Sequence, residues 1–366
     1  MPTGVGVLTG AHPVLLGWLL MALACGLDRL VGDPPWCPHP VVVMGWWIGR
    51  LRQLVERWAG DQPWRLRLGG ALITLLLVGG SMAAGWSLEQ LALEGLEAGG
   101  WRSGGGLVLL TVALASALAR RSLEQAVQAV LGLLPEAGEP LDPARQRLAW
   151  IVGRDTEELD RAGILRALAE TASENGVDGL FAPLFWMLVG VLLWGLAGGA
   201  QQAGALTLPG PLALAWGFKA ASTLDSMLGY RRGRLRWLGT AGARLDDLLV
   251  WLPCRLTAAS LALVTTQPWR AAAVLRAALR DGRSDPSPNA GVSQAAYAWL
   301  LGVQLGGLNT YDGEPRPKPL LAAGGRPPTA GDVRRMLALN ARLSGLWLAS
   351  AGLGLLALVF ITKTLS

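Results

Sequence analysis

Residues 180–200 read LFAPLFWMLVGVLLWGLAGGA, a run without a charged side chain, and they decide the fold class. A helix of about 20 apolar residues crosses the hydrocarbon core of a bilayer. Residues 69–86 and 343–362 are apolar over comparable lengths. The sequence therefore predicts an all-α, polytopic integral membrane protein.

The composition of the 366-residue chain agrees with a membrane location. Hydrophobic residues make up 52% and charged residues 16% of the chain, whereas soluble domains average about 45–50% apolar and about 25% charged residues. The formal net charge is +6, and the arginines stand between apolar segments, where membrane proteins keep cytoplasmic positive charge. We predict multipass insertion in the cell membrane, with the lipid bilayer as a partner and no nucleic-acid binding.

Shorter apolar segments leave the number of helices open, because each could span the bilayer, re-enter it or be buried in protein. They lie at residues 14–27, 107–118, 212–221, 248–264 and 295–305. We predict a single integral membrane domain over residues 1–366, with about five to eight membrane-associated helices.

Charged residues beside the apolar segments indicate an orientation. Arginines precede residues 69–86 and glutamates follow them, and an excess of basic residues marks the cytoplasmic side. On this argument the polar loops at residues 28–68, 120–178 and 231–236 face the cytoplasm, and so does the active site. Residues 120–178 are predicted as a polar helical segment. Residues 313–330, rich in proline, glycine and basic residues, are predicted as a flexible loop.

The most informative polar motif precedes residues 180–200. Arg166, Glu170, Glu174 and Asp178 follow one another at spacings of four, so a helix would place them on one face. Ordinary Arg-to-Glu pairs on a solvated face are one interpretation. Carboxylates beside a bilayer are costly unless they are paired, hydrated or bound to an ion, and Asn175 adds an amide to the same turn. A Mg²⁺ site that bridges substrate phosphates is the other interpretation.

A second polar motif contains Asp225 and the run Arg244-Leu245-Asp246-Asp247, followed by Arg255. An internal salt bridge from Arg244 to Asp246 or Asp247 is one interpretation. Two adjacent carboxylates repel each other unless a cation or a proton intervenes, so a metal site or a raised pKa is the alternative.

Smaller motifs carry Asp33, His39 and Asn289. Each also has a structural interpretation: Asp33 before a proline forms turns, a lone histidine is commonly structural, and Asn289 could cap a helix.

The three cysteines are far apart and the chain has two histidines, so a metal here should be a hard, oxygen-bound ion. No GxxxxGK[ST] loop, GxSxG elbow or HExxH helix occurs. If ATP is used, arginines, Mg²⁺ and helix N-termini must hold its phosphates.

Six motifs taken in order resemble the adenosylcobinamide-phosphate synthase family, also called CobD/CbiB, over about residues 26–313. They are Gly32-Asp33-Pro34 with His39-Pro40, Gly153-Arg154-Asp155-Thr156, Glu174-Asn175 to Asp178, Thr223 to Tyr230, Ala243-Arg244-Leu245-Asp246-Asp247, and Ser287-Pro288-Asn289. The family usually has a histidine shortly before Ser-Pro-Asn, and this chain has Asp285 in that place.

The resemblance implies an ATP-dependent amide ligase of cobalamin biosynthesis, a carbon–nitrogen ligase that joins aminopropanol or its O-phosphate to a propionate carboxylate of the corrinoid (adenosyl)cobyric acid. The product would be (adenosyl)cobinamide or its phosphate, and other cobalamin-assembly enzymes are expected partners. The expected catalytic or Mg²⁺-binding residues are Glu174, Asp178, Asp246 and Asp247. The expected substrate-binding residues are Asp33, His39, Arg154, Asp155, Asn175, Asp225, Arg244, Arg255 and Asn289.

Two other classes of protein fit the physical pattern. An intramembrane prenyl or phosphatidyl transferase also holds Mg²⁺-diphosphate with helical acids, but its two similar aspartate-rich motifs are missing. A transporter would explain the glycine- and proline-interrupted apolar segments, but no inverted repeat supports it.

Overall fold

The computed structural model describes residues 13–34, 36, 39–98, 101–135, 140–198 and 208–365. The helices are α1 (Pro13–Leu30), α2 (Pro40–Ala59), α3 (Pro63–Ala98), α4 (Trp101–Ala115), α5 (Arg120–Gly132), α6 (Asp142–Leu148), α7 (Arg161–Gly176), α8 (Ala182–Gly198), α9 (Pro211–Leu228), α10 (Leu235–Leu238), α11 (Thr240–Ser260), α12 (Ala271–Gly282), α13 (Ala290–Leu301) and α14 (Ala330–Leu365). A π-helix (Val177–Phe181) joins α7 to α8, and 3₁₀ turns cover Leu261–Val264 and Pro268–Arg270. The strands β1 (Leu305–Tyr311) and β2 (Glu314–Leu321) form a hairpin.

The prediction of a polytopic helical membrane protein is confirmed. Within the described residues, five helical segments are long and apolar enough to cross a membrane: Pro13–Leu30, Pro63–Leu96, Arg161–Leu196, Thr240–Val264 and Ala330–Ile361. A pair bent by 42°, Gly104–Ala115 with Arg120–Gly132, would make a sixth. The three long apolar segments of the sequence all overlap these spans, and residues 199–200 of the segment 180–200 lie outside the described residues.

The shorter apolar segments have different outcomes. Residues 14–27 and 248–264 lie within candidate spans, and residues 107–118 overlap the bent pair. Residues 212–221 lie in α9, which is outside the set of candidate spans. Residues 295–305 end the short helix α13 and reach the start of β1, so they do not form one apolar helix.

The chain divides into two compact units, and the single integral membrane domain over residues 1–366 stays a prediction. Unit 1 contains Met1–Ala119, Ala182–Leu249 and Trp347–Ser366. Unit 2 contains Arg120–Phe181 and Val250–Leu346. The predicted helical segment at residues 120–178 belongs to unit 2 and contains α5, α6 and α7. Which side of the membrane it faces stays a prediction.

In unit 1, Glu89 fastens α9 to α3. Its fully buried carboxylate accepts hydrogen bonds from the backbone N–H groups of Gly210 (2.9 Å), Leu212 (2.6 Å) and Ala213 (3.2 Å). The first N–H groups of a helix have no partner within the helix, and its N-terminus favours negative charge. The carboxylate of Glu89 therefore satisfies the start of α9 from a neighbouring helix.

Pro253 lies inside α11 without ending it. Proline has no backbone N–H, so the carbonyl of Leu249, four residues earlier, loses its helical donor. In unit 1 the indole Nε1 of Trp186 donates to that carbonyl at 3.1 Å. A side chain from α8 thus replaces the missing helical hydrogen bond.

In unit 2, the hairpin of β1 and β2 corrects the prediction of a flexible loop at residues 313–330, because residues 314–321 form a strand. The turn is Asp312-Gly313, both with positive φ (53° and 79°), as a two-residue hairpin loop requires. Pro315, Pro317 and Pro319 alternate along β2. Proline has no backbone N–H group. When prolines occupy every second position, their nitrogen atoms can all lie on the outer edge of the strand, so the hydrogen bonds to β1 are kept.

Candidate functional site

The predicted polar face of α7 exists, and it faces the hairpin and α13 within unit 2. Asp160 caps the helix by accepting from the N–H of Gly163 at 2.7 Å. Arg166 donates to the carbonyl of Leu308 at 2.9 Å, and Glu170 accepts from the N–H of Gly306 at 2.9 Å. Arg166 therefore contacts β1, whereas the simple interpretation paired it with a glutamate of its own helix.

Glu170 is paired instead with Arg154. The two side chains are 2% and 8% exposed, and the other arm of Arg154 donates to the side-chain oxygen of Asn309 at 2.8 Å. A buried carboxylate with a guanidinium and a backbone N–H has its acceptors satisfied. Both arms of Arg154 are engaged within the protein, which favours a structural role over the predicted substrate clamp.

Glu174, one turn further along α7, lies in a different environment. Its Oε2 accepts from the side-chain amide of Gln294 on α13 at 2.6 Å. Lys318 on β2 and Asp285 both interact with it electrostatically. Burial alone would lower the pKa of Lys318, but attraction to Glu174 and then to Asp285 outweighs burial and raises that pKa. Lys318 therefore keeps its positive charge under the influence of two carboxylates.

Asp178 lies in the π-helix after α7. The helix therefore continues past Gly176, but with π-helical instead of α-helical geometry. Single π-turns within helices are frequent at functional sites. Asp178 and Glu174 both act electrostatically on Cys254 of α11, whose Sγ contacts the carbonyl of Asn289 at 3.2 Å. Unit 2 thus brings together the acids of α7 and the start of α13.

Arg255 and Asn289 are joined directly. Arg255 donates to the side-chain oxygen of Asn289 at 2.7 Å and to the carbonyl of Pro288 at 2.9 Å, and its guanidinium lies over the ring of Trp251 at 4.5 Å. Asn289 stands at the N-cap of α13, but its side chain makes no cap hydrogen bond. Ser287 accepts from the N–H of Ala290 at 3.2 Å instead. The buried amide of Asn289 therefore orients a guanidinium.

Asp155 and Asn175, predicted to bind substrate, have different surroundings. The carboxylate of Asp155 accepts from the N–H groups of Asp312 (3.1 Å) and Gly313 (2.8 Å) and so holds the hairpin turn. Asn175 is exposed, although the acids on either side of it are partly buried. Asp155 has a structural task in unit 2, and the side chain of Asn175 lies at the surface.

In unit 1, Asp33 and His39 form an acid–imidazole pair. Nε2 of His39 lies 3.2 Å from Oδ1 of Asp33, and Nδ1 accepts from the N–H of Val41 at 3.3 Å at the start of α2. Because Nδ1 accepts, the proton is assigned to Nε2, the ring nitrogen that lies near the carboxylate. His39 is a helix cap and also one half of a polar pair.

The second polar motif also belongs to unit 1. Asp225 lies near the end of α9, where its carbonyl accepts from the N–H of Gly229 at 2.7 Å. Asp246 and Asp247 are partly buried on α11. Arg244 is exposed and has no hydrogen-bond or ion-pair partner among the described residues. The predicted internal salt bridge of Arg244 is therefore not formed, and its guanidinium is open to a ligand.

The predicted Mg²⁺ ligands do not form a metal site within either unit alone. Glu174 and Asp178 belong to unit 2, and Asp246 and Asp247 belong to unit 1. Across the described residues, no group of three or more His, Cys, Asp or Glu side chains is arranged to hold a metal ion. Lys318 also supplies positive charge beside Glu174. Taken within its own unit, neither donor set fits a resident metal ion.

Sequence reasoning missed Lys318, Gln294 and Asp285 as members of this cluster. Lys318 lies in the proline-rich stretch for which the sequence predicts a flexible loop. A usable signal was present, because the chain has three lysines, Lys219, Lys318 and Lys363, among 32 basic residues. An isolated lysine in an arginine-rich protein indicates a position where a compact ammonium is preferred. Gln294 gives no such signal within an apolar helix.

Comparison with known proteins identifies the family. The model of the CobD/CbiB protein family matches residues 21–340, most of the chain. The chain belongs to the CobD/CbiB family. Within it, the chain is 39% identical to the cobalamin biosynthesis protein CobD of Synechocystis sp. over 323 residues, covering 88% of this chain and 87% of the relative.

Two enterobacterial members of the CobD/CbiB family are similarly close. The cobalamin biosynthesis protein CbiB of Salmonella choleraesuis is 37% identical over 341 residues, 92% of this chain and 94% of the relative. The cobalamin biosynthesis protein CobD of Klebsiella pneumoniae is 39% identical over 339 residues, with the same coverage of both chains. No solved structure matches the chain.

Proposed function

We propose that this member of the CobD/CbiB family acts in cobalamin biosynthesis as an ATP-dependent amide ligase, with a corrinoid carboxylic acid and aminopropanol or its O-phosphate as substrates. Family membership over residues 21–340 carries the proposal. It favours this reaction over the transferase and transporter alternatives. The polar cluster of Glu174, Gln294, Lys318 and Asp285 supplies the charges that such a reaction needs.

The chemistry requires activation of a carboxylate. A carboxylate does not acylate an amine at neutral pH until one of its oxygens becomes part of a leaving group. Transfer of the γ-phosphoryl group of ATP to the corrinoid carboxylate gives an acyl phosphate and ADP. The amine, after losing a proton, attacks the acyl carbon; the carbon–oxygen bond to phosphate breaks, and inorganic phosphate leaves.

Glu174 is the proposed base for the amine. Gln294 fixes one of its oxygens by a 2.6 Å hydrogen bond, which leaves the other oxygen for the proton. Glu170, on the same helix, is unsuited to this task because Arg154 and the N–H of Gly306 hold its carboxylate. Asp178 is the second acid proposed at this site.

Lys318 is the proposed partner of the phosphoryl oxygens. Its raised pKa keeps the ammonium charged at neutral pH, and a fixed cation stabilises the negative charge that develops on a transferring phosphoryl group. Arg255, oriented by Asn289, is a second candidate for binding phosphate or carboxylate in unit 2. In unit 1, Arg244, Asp246, Asp247 and Asp225 and the pair of Asp33 with His39 are proposed to bind substrate or Mg·ATP.

A direct assay tests the proposal. Purified full-length protein in detergent is mixed with adenosylcobyric acid, aminopropanol phosphate, ATP and Mg²⁺, and the corrin mass and ADP release are followed together. We expect a corrin product heavier by the amide-linked arm, formed only with ATP, and a corrin hydroxamate when hydroxylamine replaces the amine. If a folded protein binds the corrin but yields no ADP, no product and no hydroxamate, the ligase proposal is wrong.

A further inference from the structure

Unit 2 contains a polar cavity whose lining shares no residue with the cluster around Glu174. Its volume is about 350 Å³, and it lies between the turn after α11, the end of α13 and the first part of α14. Its polar lining comes from Thr265, Thr266, Gln267, Arg270, Arg335 and Arg342. None of its lining residues is acidic, so the cavity has an excess of positive charge.

Arg270 is held in a fixed position at this cavity. It donates to the side-chain oxygen of Gln267 at 3.0 Å and to the carbonyl of Trp299, near the end of α13, at 3.4 Å. Fixing a long side chain in advance reduces the entropy that a ligand must overcome on binding.

The guanidinium groups of Arg335 and Arg342 are available to bind a ligand. The nearest acid to Arg335 is Asp332, 3.8 Å away, but both oxygens of Asp332 already accept from Arg326 at 2.6 and 2.8 Å. Arg342 is exposed and has no hydrogen-bond or ion-pair partner among the described residues. Two guanidinium groups on one face of α14 therefore stand open toward the cavity.

The cavity also lies where apolar helices end. The candidate span Thr240–Val264 stops one residue before Thr265. Arg342 directly precedes residues 343–362, which contain no charged side chain. Basic pockets at the ends of membrane helices bind lipid head groups, and the fork of an arginine suits the oxygens of a phosphate.

We propose that this arginine cavity is a binding site for a phosphate-bearing anion. The same chemistry is offered by the head group of an anionic phospholipid and by a soluble phosphate, and the position at the span ends suits both. The site does not depend on the ligase reaction, since it is defined by binding alone and contains no residue assigned to that reaction.

The test compares two variants of the full-length protein. In R335Q/R342Q both open guanidinium groups are replaced by neutral amides. The matched control is R334Q, an exposed arginine of the same helix that does not line the cavity. The probes are phosphatidylglycerol, measured as lipid retained by the detergent-solubilised protein in native mass spectrometry, and radiolabelled inorganic phosphate, measured by equilibrium binding to delipidated protein.

We expect one of the two probes to bind R335Q/R342Q at least about tenfold more weakly than R334Q, since the loss of one charge-assisted contact weakens binding by about tenfold or more. Loss of phosphatidylglycerol alone identifies a lipid site, and loss of inorganic phosphate alone identifies a soluble ligand. If neither probe binds, or if both variants bind equally, the proposal is overturned. R342Q alone is the control for misfolding: Arg342 makes no hydrogen bond or ion pair with another described residue, so the unfolding temperature of R342Q should match that of R334Q.

Discussion

Arg154 and Glu170 form an ion pair that is almost closed to solvent, although 16 residues separate them along the chain. Removing one partner of a buried pair leaves an uncompensated charge and costs about 3–5 kcal/mol. We expect E170Q to lose stability on that scale, measured as the unfolding temperature in detergent.

The matched control for this prediction is the more exposed pair of Arg52 with Glu56, four residues apart on α2. Pairs of this kind contribute about 0.3–0.5 kcal/mol, so E56Q should leave the unfolding temperature nearly unchanged. Equal unfolding temperatures for E170Q and E56Q would show that the pair of Arg154 and Glu170 does not stabilise the fold.

We expect E174Q to abolish ligase activity while leaving membrane insertion intact, because its amide cannot take the proton from the amine. Steady-state rates of ADP release and corrin product measure the effect. E157Q, a change at an exposed glutamate of the same unit, is the control and should retain full activity. D247N on α11 is expected to behave like E174Q. Full activity of both site variants would remove these assignments.

Lys318 gives a prediction for alkaline pH. Because folding raises the pKa of Lys318, its contribution to stability is complete below the unfolded value, about 10.4, and is lost as pH rises through the higher folded value. We expect the wild type to unfold at a higher temperature than K318M at neutral pH, and the difference to shrink above about pH 10.4.

The conservative variant K318R separates charge from shape. Arginine keeps its proton above about pH 12, so any stability that K318R retains at neutral pH should persist through the alkaline range. If the unfolding temperatures of wild type and K318M differ by the same amount at every pH, Lys318 does not act through its charge.

The sequence predicts the helical membrane fold and the polar face of α7, because both depend on local periodicity. Arg166, Glu170 and Glu174 do lie on one face, as their contacts with β1 and α13 show. Their partners were not predictable, because Arg154 reaches Glu170 through tertiary packing. The strand β2 was missed for a different reason: proline is a reliable loop signal, and only the pairing with β1 reveals that Pro315 and Pro317 belong to a strand.

The close approach of α7 and α14 at Gly176 gives the last prediction. A Cβ atom at Gly176 would lie 2.6 Å from Nδ2 of Asn340. That nitrogen donates to the carbonyl of Ala172 at 3.0 Å, and the side-chain oxygen of Asn340 accepts from the hydroxyl of the fully buried Tyr297. An added methyl group must displace an amide that two hydrogen bonds hold, so G176A should cost about 1–3 kcal/mol of stability.

Gly345 on α14 is the matched control for G176A, since no atom lies within 4 Å of a Cβ placed there. G345A should be neutral or stabilise the protein by up to about 1 kcal/mol, because alanine is the better helix former. The unfolding temperatures of both variants, measured in the same detergent, test this predicted difference in stability. If G176A is as stable as G345A, Asn340 moves without cost and the contact does not fix α7 against α14. If G176A is the less stable of the two, the hydrogen bonds of Asn340 hold α7 against α13 and α14. These hydrogen bonds then also fix the position of the acids that α7 contributes to the candidate site.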